Sequence, residues 1–278
     1  MAWTHELNHF DGLYQPEEKF YYREPGMEET VLHIYHPVKC SGKAPAIVWF
    51  HGGGLTNEDT PEFPMTFRDG KYVMILVRYR LCPSVTPQDV IDDAAKAVAE
   101  VFLHAEEWGI DPRAISVGGM SAGGYLSALV GMNPALLGKY GVDHKKILTL
   151  LLASGQMTTH FHVKHVLNYG AREPMPVIDE YAPLFYVSKD LPPIFCATGA
   201  PGMDLPARPE ENQFFAASLR AVGHTDVECY TFQDIPHCVM VVDCSAPYMY
   251  RFAESCDHRT EGNRIRKSGQ GQYRFSSI

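Results

Sequence analysis

Long apolar runs are missing from this 278-residue chain. No stretch of 18 apolar residues occurs, so the sequence offers no bilayer-spanning helix. Positive charge is scarce too, 24 Lys and Arg against 33 Asp and Glu, for a net of −9. That balance excludes nucleic acid and anionic membranes as main partners, since both demand clustered cations. The seven cysteines, Cys40, Cys82, Cys196, Cys229, Cys238, Cys244 and Cys256, form no C-x-x-C pair. Their odd number, and the place of several of them in apolar runs as buried free thiols, read as scattered reduced thiols rather than a disulfide framework. The opening MAWTHELNHF lacks the basic start and apolar segment of a secretory signal, so a cytoplasmic protein is expected. No internal repeat is visible.

What is present has near-average globular proportions, 45% hydrophobic and 21% charged, which excludes collagen-like, coiled-coil and disordered chains. Apolar stretches at 31–37, 46–50, 73–79, 114–118, 147–153, 193–198 and 227–232 read as strands. The first alternates as a strand with one exposed face should. Helical periodicity over 87–108 puts Val90, Ala94, Val98, Val101 and Phe102 on one side, stopped by Gly109 and Asp111-Pro112. Further helices are expected from Ser121, over about 208–222 and near 244–255. Strands alternating with helices imply a mostly parallel sheet covered on both faces. The rhythm breaks over 155–190, rich in aromatics, histidines and prolines, and a small cap insertion is expected there. Residues 1–256 are thus one α/β domain. Residues 257–278, polar and basic, read as a disordered or vector-encoded tail.

Gly119-Met120-Ser121-Ala122-Gly123 lies between an apolar strand and an apolar helix. A serine there must occupy a tight strand-to-helix turn that only flanking glycines leave room for. The turn lifts the Ser121 hydroxyl clear of the sheet and aims the Ala122 N–H, at the helix N-terminus, toward developing negative charge. His51-Gly52-Gly53-Gly54 follows a second apolar strand, and its glycines let backbone approach a ligand with N–H groups facing it. A nucleophilic serine needs a base, and the base an orienting acid. Asp204 follows strand 193–198 and His237 follows strand 227–232, both at carboxyl ends where open parallel sheets place their sites. Asp190, Glu210 and Glu211 are acidic alternatives nearby in the chain.

His160, His162 and His165 form an H-x-H-x-x-H cluster without a clear fourth ligand. Cap lining is therefore expected in place of zinc. His224, after Gly223, reads as an exposed turn residue.

Five separated motifs, HGGG, Tyr79-Arg80-Leu81-Cys82-Pro83, Ile91-Asp92-Asp93-Ala94, Trp108-Gly109-Ile110-Asp111-Pro112 and GMSAGG, resemble α/β-hydrolase-fold serine esterases. The likeness is to hormone-sensitive-lipase-like carboxylesterases and the acetyl- and feruloyl-esterase-like group, over roughly residues 30–255. It implies the α/β-hydrolase fold, nucleophile Ser121, base His237, acid Asp204 and an oxyanion hole of the Gly53, Gly54 and Ala122 amides. One of Asp92 and Asp93 is expected to brace the Tyr79–Pro83 loop. No cofactor or metal is implied. The expected activity is serine carboxylic-ester hydrolysis of short, acetyl-type acyl groups through an acyl-enzyme, on small sugar or aryl esters such as acetylated or feruloylated plant polysaccharide. Met157, His160, Phe161, Tyr169, Tyr181 and Tyr186 are candidate substrate contacts from the insertion. Two other readings stay open, an arylformamidase-type amide hydrolase and a non-catalytic ligand-binding relative.

Overall fold

The computed structural model describes residues 12–40, 42–58, 63–237 and 239–262. Eight strands form one sheet in the order β1-β2-β4-β3-β5-β6-β7-β8. They are β1 (Glu18–Tyr21), β2 (Val31–Tyr35), β3 (Ala44–Phe50), β4 (Val73–Val77), β5 (Ile110–Met120), β6 (Leu150–Ala153), β7 (Ile194–Thr198) and β8 (Val227–Thr231). β2 runs antiparallel to β1 and β4, and every other pairing is parallel. The helices are α1 (Pro87–His104), α2 (Ala122–Met132), α3 (Pro134–Gly138), α4 (Phe161–Val166), α5 (Arg208–Ala221) and α6 (Val239–Gly262).

Continuous apolar strands divide their side chains between two cores, because successive residues point to opposite faces. Val48, Phe50, Leu150, Leu152, Ile194 and Cys196 meet α1, α2 and α5 on one face. On the other, Ile47, Trp49, Leu151, Ala153, Phe195 and Ala197 meet α6 and residues 63–72. α1 starts where its sequence predicts: Thr86 and Asp89 cap one another reciprocally, with Pro87 in the first turn.

Four sequence expectations change. β2 is buried along its whole length, because His33 is inside and paired to the Glu17 carboxylate at 2.6 Å; its polarity marks a partner, not a solvent face. His224 is buried as well, its ring hydrogen-bonded with the Leu191 and Pro192 carbonyls. β1 is an added edge strand without a strong pattern. The last helix begins at Val239 and continues through 257–262, residues assigned by composition to the tail. Its buried stripe runs from Val241 to Cys256, and a formed helix extends further through its own backbone bonds. Residues 263–278 and Cys238 lie outside the described residues. No helix among the described residues is long and apolar enough to cross a membrane.

Asp93 ties the outer strands to α1. Fully buried, its carboxylate accepts from Arg80 Nε and Nη2 at 2.7 Å each, from the Arg80 backbone N–H at 3.2 Å and from Arg23 Nε at 2.9 Å. Asp93, of the two acidic neighbours, thus holds the loop after β4, while Asp92 accepts from Arg23, Lys139 and Tyr140 nearer the surface. Removing Asp93 takes this carboxylate from both arginines and leaves Arg23 its bond to Asp92. Asp93→Ala should therefore cost about 2–3 kcal/mol, read as a lower urea midpoint at unchanged slope. An unaltered midpoint would show that solvent replaces the carboxylate without loss.

Candidate active site

Five loops, after β3, β5, β6, β7 and β8, leave the carboxyl ends of neighbouring parallel strands, which gathers them along one edge of the sheet. Ser121 sits between β5 and α2 at φ 55° and ψ −114°, a conformation costly for a residue with a side chain. Crowding explains the glycines around it. A Cβ on Gly119 would come within 2.5 Å of the Gly123 backbone, and one on Gly123 would overlap the Phe50 carbonyl oxygen. The Ser121 N–H donates to the Ala153 carbonyl at 2.8 Å, and its carbonyl accepts from Tyr125 N at 3.0 Å.

Ser121 Oγ is 2.9 Å from His237 Nε2, and His237 Nδ1 is 2.6 Å from Asp204 Oδ1. Asp204 also accepts from Gly199 N at 2.8 Å, Leu205 N at 2.7 Å and Ser154 Oγ at 2.6 Å. Burial would raise its pKa, but hydrogen bonds from His237, Ser154 and Gly199 outweigh that and hold it down to about 2. An ionised carboxylate only accepts, so His237 Nδ1 carries the ring proton and Nε2 is left as acceptor for the Ser121 hydroxyl.

The glycine loop after β3 orients its amides through its carbonyls, because C=O and N–H point oppositely across a trans peptide. The Gly52 carbonyl accepts from His51 Nδ1 at 2.7 Å and Tyr79 Oη at 3.3 Å, which turns the Gly53 N–H the other way. Likewise the Gly53 carbonyl accepts from Thr56 N and Asn57 N at 3.1 and 2.9 Å, turning the Gly54 N–H outward. Both glycines have positive φ, 98° and 64°, and a Cβ on Gly53 would overlap the Asn57 carbonyl. The Ser121 carbonyl, bonded into α2, similarly points the Ala122 N–H out of the helix end. His51 itself is buried, which pushes its pKa down to about 4 against the pull of its bond to Gly52. It stays neutral and stacks on Tyr79 with ring centroids 4.2 Å apart.

Ser154 is the residue that sequence reading passes over. It follows β6 at φ 47°, fully buried, with Oγ 3.0 Å from His237 Nδ1 as well as bonded to Asp204. Buried Arg208 donates to its carbonyl. The available signal was position alone, a polar residue at the carboxyl end of a central strand.

The insertion residues separate. Phe161 stands against the glycine loop, where a methyl group on Gly54 would be 3.4 Å from its ring. His160 lies buried between Phe161 and Tyr125 and caps α4 by accepting from His162 N. Met157 is core packing beneath Gly155. Tyr169 donates to Asp179. Tyr181 and Tyr186 line a separate groove with Gln88 of α1 and Asn133 before α3, which holds none of Ser121, Asp204 or His237. Their hydroxyls are engaged there, Tyr181 by Gln88 at 2.8 Å and Tyr186 by Asn133 at 2.9 Å. His165 pairs with Glu173. Among the described residues no group of three or more His, Cys, Asp or Glu is arranged to hold a metal.

Known proteins resemble this chain in both sequence and shape. A stretch of 111 residues, 38% of the chain, is 37% identical to the carboxylic ester hydrolase LipN of Mycobacterium tuberculosis, covering 30% of that protein. The stretches matched span only about a third of the length of the first curated relatives. Esterase 2 of Thermogutta terrifontis, phosphoramylated by tabun, superposes with a TM-score of 0.70 at 22% identity, over 90% of this chain and 95% of that one. Esterase B of Lactobacillus rhamnosis reaches 0.72 at 18% identity, over 90% and 89%. These likenesses establish the α/β-hydrolase fold. The BD-FAE family matches residues 32–208, from β2 to the start of α5 and well over half of the chain, and to that family of α/β hydrolases the chain belongs.

Proposed function

We propose that the protein is a serine carboxylic-ester hydrolase working through an acyl-enzyme on Ser121. The observation that carries this reading is the unbroken chain Ser121 Oγ–His237–Asp204, at 2.9 and 2.6 Å, supported by the peptide planes that turn the Gly53, Gly54 and Ala122 N–H groups away from their bonded carbonyls. His237 Nε2 takes the Ser121 proton as Oγ attacks the ester carbonyl. Negative charge then develops on the carbonyl oxygen, where the Gly53, Gly54 and Ala122 N–H groups receive it; losing one such donor typically costs about 10²–10³ in turnover. The proton returns from His237 to the leaving alcohol, and a water molecule, deprotonated by the same nitrogen, releases the acid and regenerates Ser121. Asp204 fixes the ring and stabilises its cation throughout. Ser154 positions both by bonding the carboxylate oxygen that His237 does not use. Small neutral esters are the substrate class, with acetyl and feruloyl esters of plant polysaccharide the natural substrates to assay.

Ser121→Ala should lower p-nitrophenyl acetate hydrolysis by about 10⁵–10⁶ with little change in melting temperature. A fluorophosphonate should label Ser121 and no other residue by mass spectrometry. Activity surviving in the variant would remove Ser121 from the mechanism.

Ser154→Ala breaks one hydrogen bond to a charged group, so kcat should fall by about 10–100-fold at nearly constant KM. A selective rise in KM would assign Ser154 to substrate binding.

Asp204 also links stability to pH. Its pKa is depressed in the folded chain to about 2, against about 3.9 unfolded. The contribution is therefore complete above about pH 5 and lost as pH falls toward 2, on the order of 2 kcal/mol. Urea midpoints at pH 6 and pH 3 should differ less for Asp204→Asn than for the wild type, while its turnover drops by about 10⁴. Parallel pH losses in the two proteins would mean that the carboxylate is not held ionised.

A further inference from the structure

We infer that Cys196 and Cys229 form a reversible redox-modification site, where a hydroperoxide oxidises the two thiols to a disulfide that draws β7 and β8 together and slows catalysis. The effect on catalysis rests on the hydrolase reading above; the thiol chemistry stands without it.

Topology puts the two thiols together. Cys196 of β7 and Cys229 of β8 are direct partners in the parallel ladder, and both pack on the face of the sheet that α5 covers. The next pair on that face, Thr198 and Thr231, brings its hydroxyls within 3.4 Å of each other. Side chains of these two strands therefore touch across the ladder. The single Cys196 proton has two acceptors, the Cys229 sulfur and the Glu228 carbonyl at 3.4 Å. While protonated, Cys229 donates to the Asn212 carbonyl of α5 at 3.7 Å.

The two thiols are not equivalent. Cys196 is fully buried, and its bond to Cys229 together with that burial raises its pKa. Cys229 is partly exposed and belongs to β8, the last strand of the sheet. The hydrogen bond from Cys196, aided by the Arg220 guanidinium, lowers the Cys229 pKa against the opposing effect of burial. An accessible thiol of lowered pKa beside a second thiol oxidises reversibly, because the neighbour captures the first product before oxidation goes further.

Hydrogen peroxide illustrates the balance. The Cys229 thiolate sulfur attacks one peroxide oxygen, the O–O bond breaks, and hydroxide leaves to take up the proton that Cys229 gave up. The product is a sulfenic acid. The Cys196 sulfur then attacks the Cys229 sulfur, and its proton departs with the sulfenic hydroxyl as water while the S–S bond forms. Two thiols lose two electrons, and one peroxide becomes two waters.

Neighbouring strands lie about 4.8 Å apart, whereas a disulfide holds its Cβ atoms about 3.8 Å apart. Bond closure therefore pulls β8 toward β7 by on the order of 1 Å at the pair. Asp204 follows β7 and His237 follows β8, while Ser121 hangs from β5, three strands away from β8. A misplacement of about 1 Å at reacting groups can cost about 10² in rate.

The test treats the reduced wild type with hydrogen peroxide and maps its non-reduced peptides by mass spectrometry. A Cys196–Cys229 cross-link should appear and p-nitrophenyl acetate turnover should fall by at least about tenfold, both reversed by dithiothreitol. Cys229→Ser should match the reduced wild type in turnover and keep it under the same peroxide, with Cys196→Ala as the second variant should the first not fold. No cross-link, or one made to another cysteine, overturns the site. A cross-link at full turnover overturns its control of catalysis, as does an inactivation that the variants share. Reduced enzyme that hydrolyses no ester yet forms the cross-link removes the hydrolase reading and supports the thiol pair.

Discussion

The close crossing of the β5–α2 turn over β3 is the constraint on which the rest of the molecule depends. Phe50 pairs with Gly119 across the β3–β5 ladder, and the Phe50 carbonyl occupies the space that a side chain at Gly123 would need. Backbone packed this tightly leaves Ser121 only a left-handed conformation, of a kind that typically costs about 1–3 kcal/mol. The surroundings hold it there. The Ser121 amide is bonded to β6, its carbonyl is bonded into α2, and Tyr125, one turn on, is fully buried with its hydroxyl donating to the Tyr181 carbonyl of the insertion. The same contacts that force the strain therefore tie the central strands, the helix and the cap into one unit.

A second rigid unit carries the acid and the base together. The Phe232 N–H donates to the Thr198 carbonyl and the Ala200 N–H to the Ile235 carbonyl, both at 2.9 Å, so the loops after β7 and β8 are stitched to each other. A Cβ on Gly199 would overlap the Ile235 carbonyl, which explains the glycine directly after β7. Asp204 and His237 thus keep their separation through shared backbone bonds. Ser154 connects this unit to β6, and Arg208 anchors Ser154 from below. Burial weakens the Arg208 guanidinium's hold on its proton, against the pull of the nearby Glu211 and Asp204 carboxylates.

Legibility in the sequence follows the range of the interaction. Ser121, Asp204 and His237, which the structure brings within hydrogen-bond reach, were visible because each sits at a strand end that apolar patterning marks, and glycine spacing reports local crowding directly. Ser154 was not, since a serine after a strand is common and its importance lies in contacts 50 and 83 residues away. Tyr181 and Tyr186 looked like site residues because they share the insertion with Phe161. The chain passes back over α1 and α2 before reaching them, and this puts them in a different groove.

The order of the strands from β2 onward, the elbow with its obligatory glycines, and the glycine loop after β3 were determined by the sequence alone, because each depends on neighbours within a few residues and on alternation of period two. Only the tertiary structure decided which acidic residue faces His237, why His33 and His224 are inside, and where the last helix ends. Those outcomes turn on burial and on pairing between distant segments. A buried polar group carries no local mark that distinguishes it from an exposed one until its partner is in place.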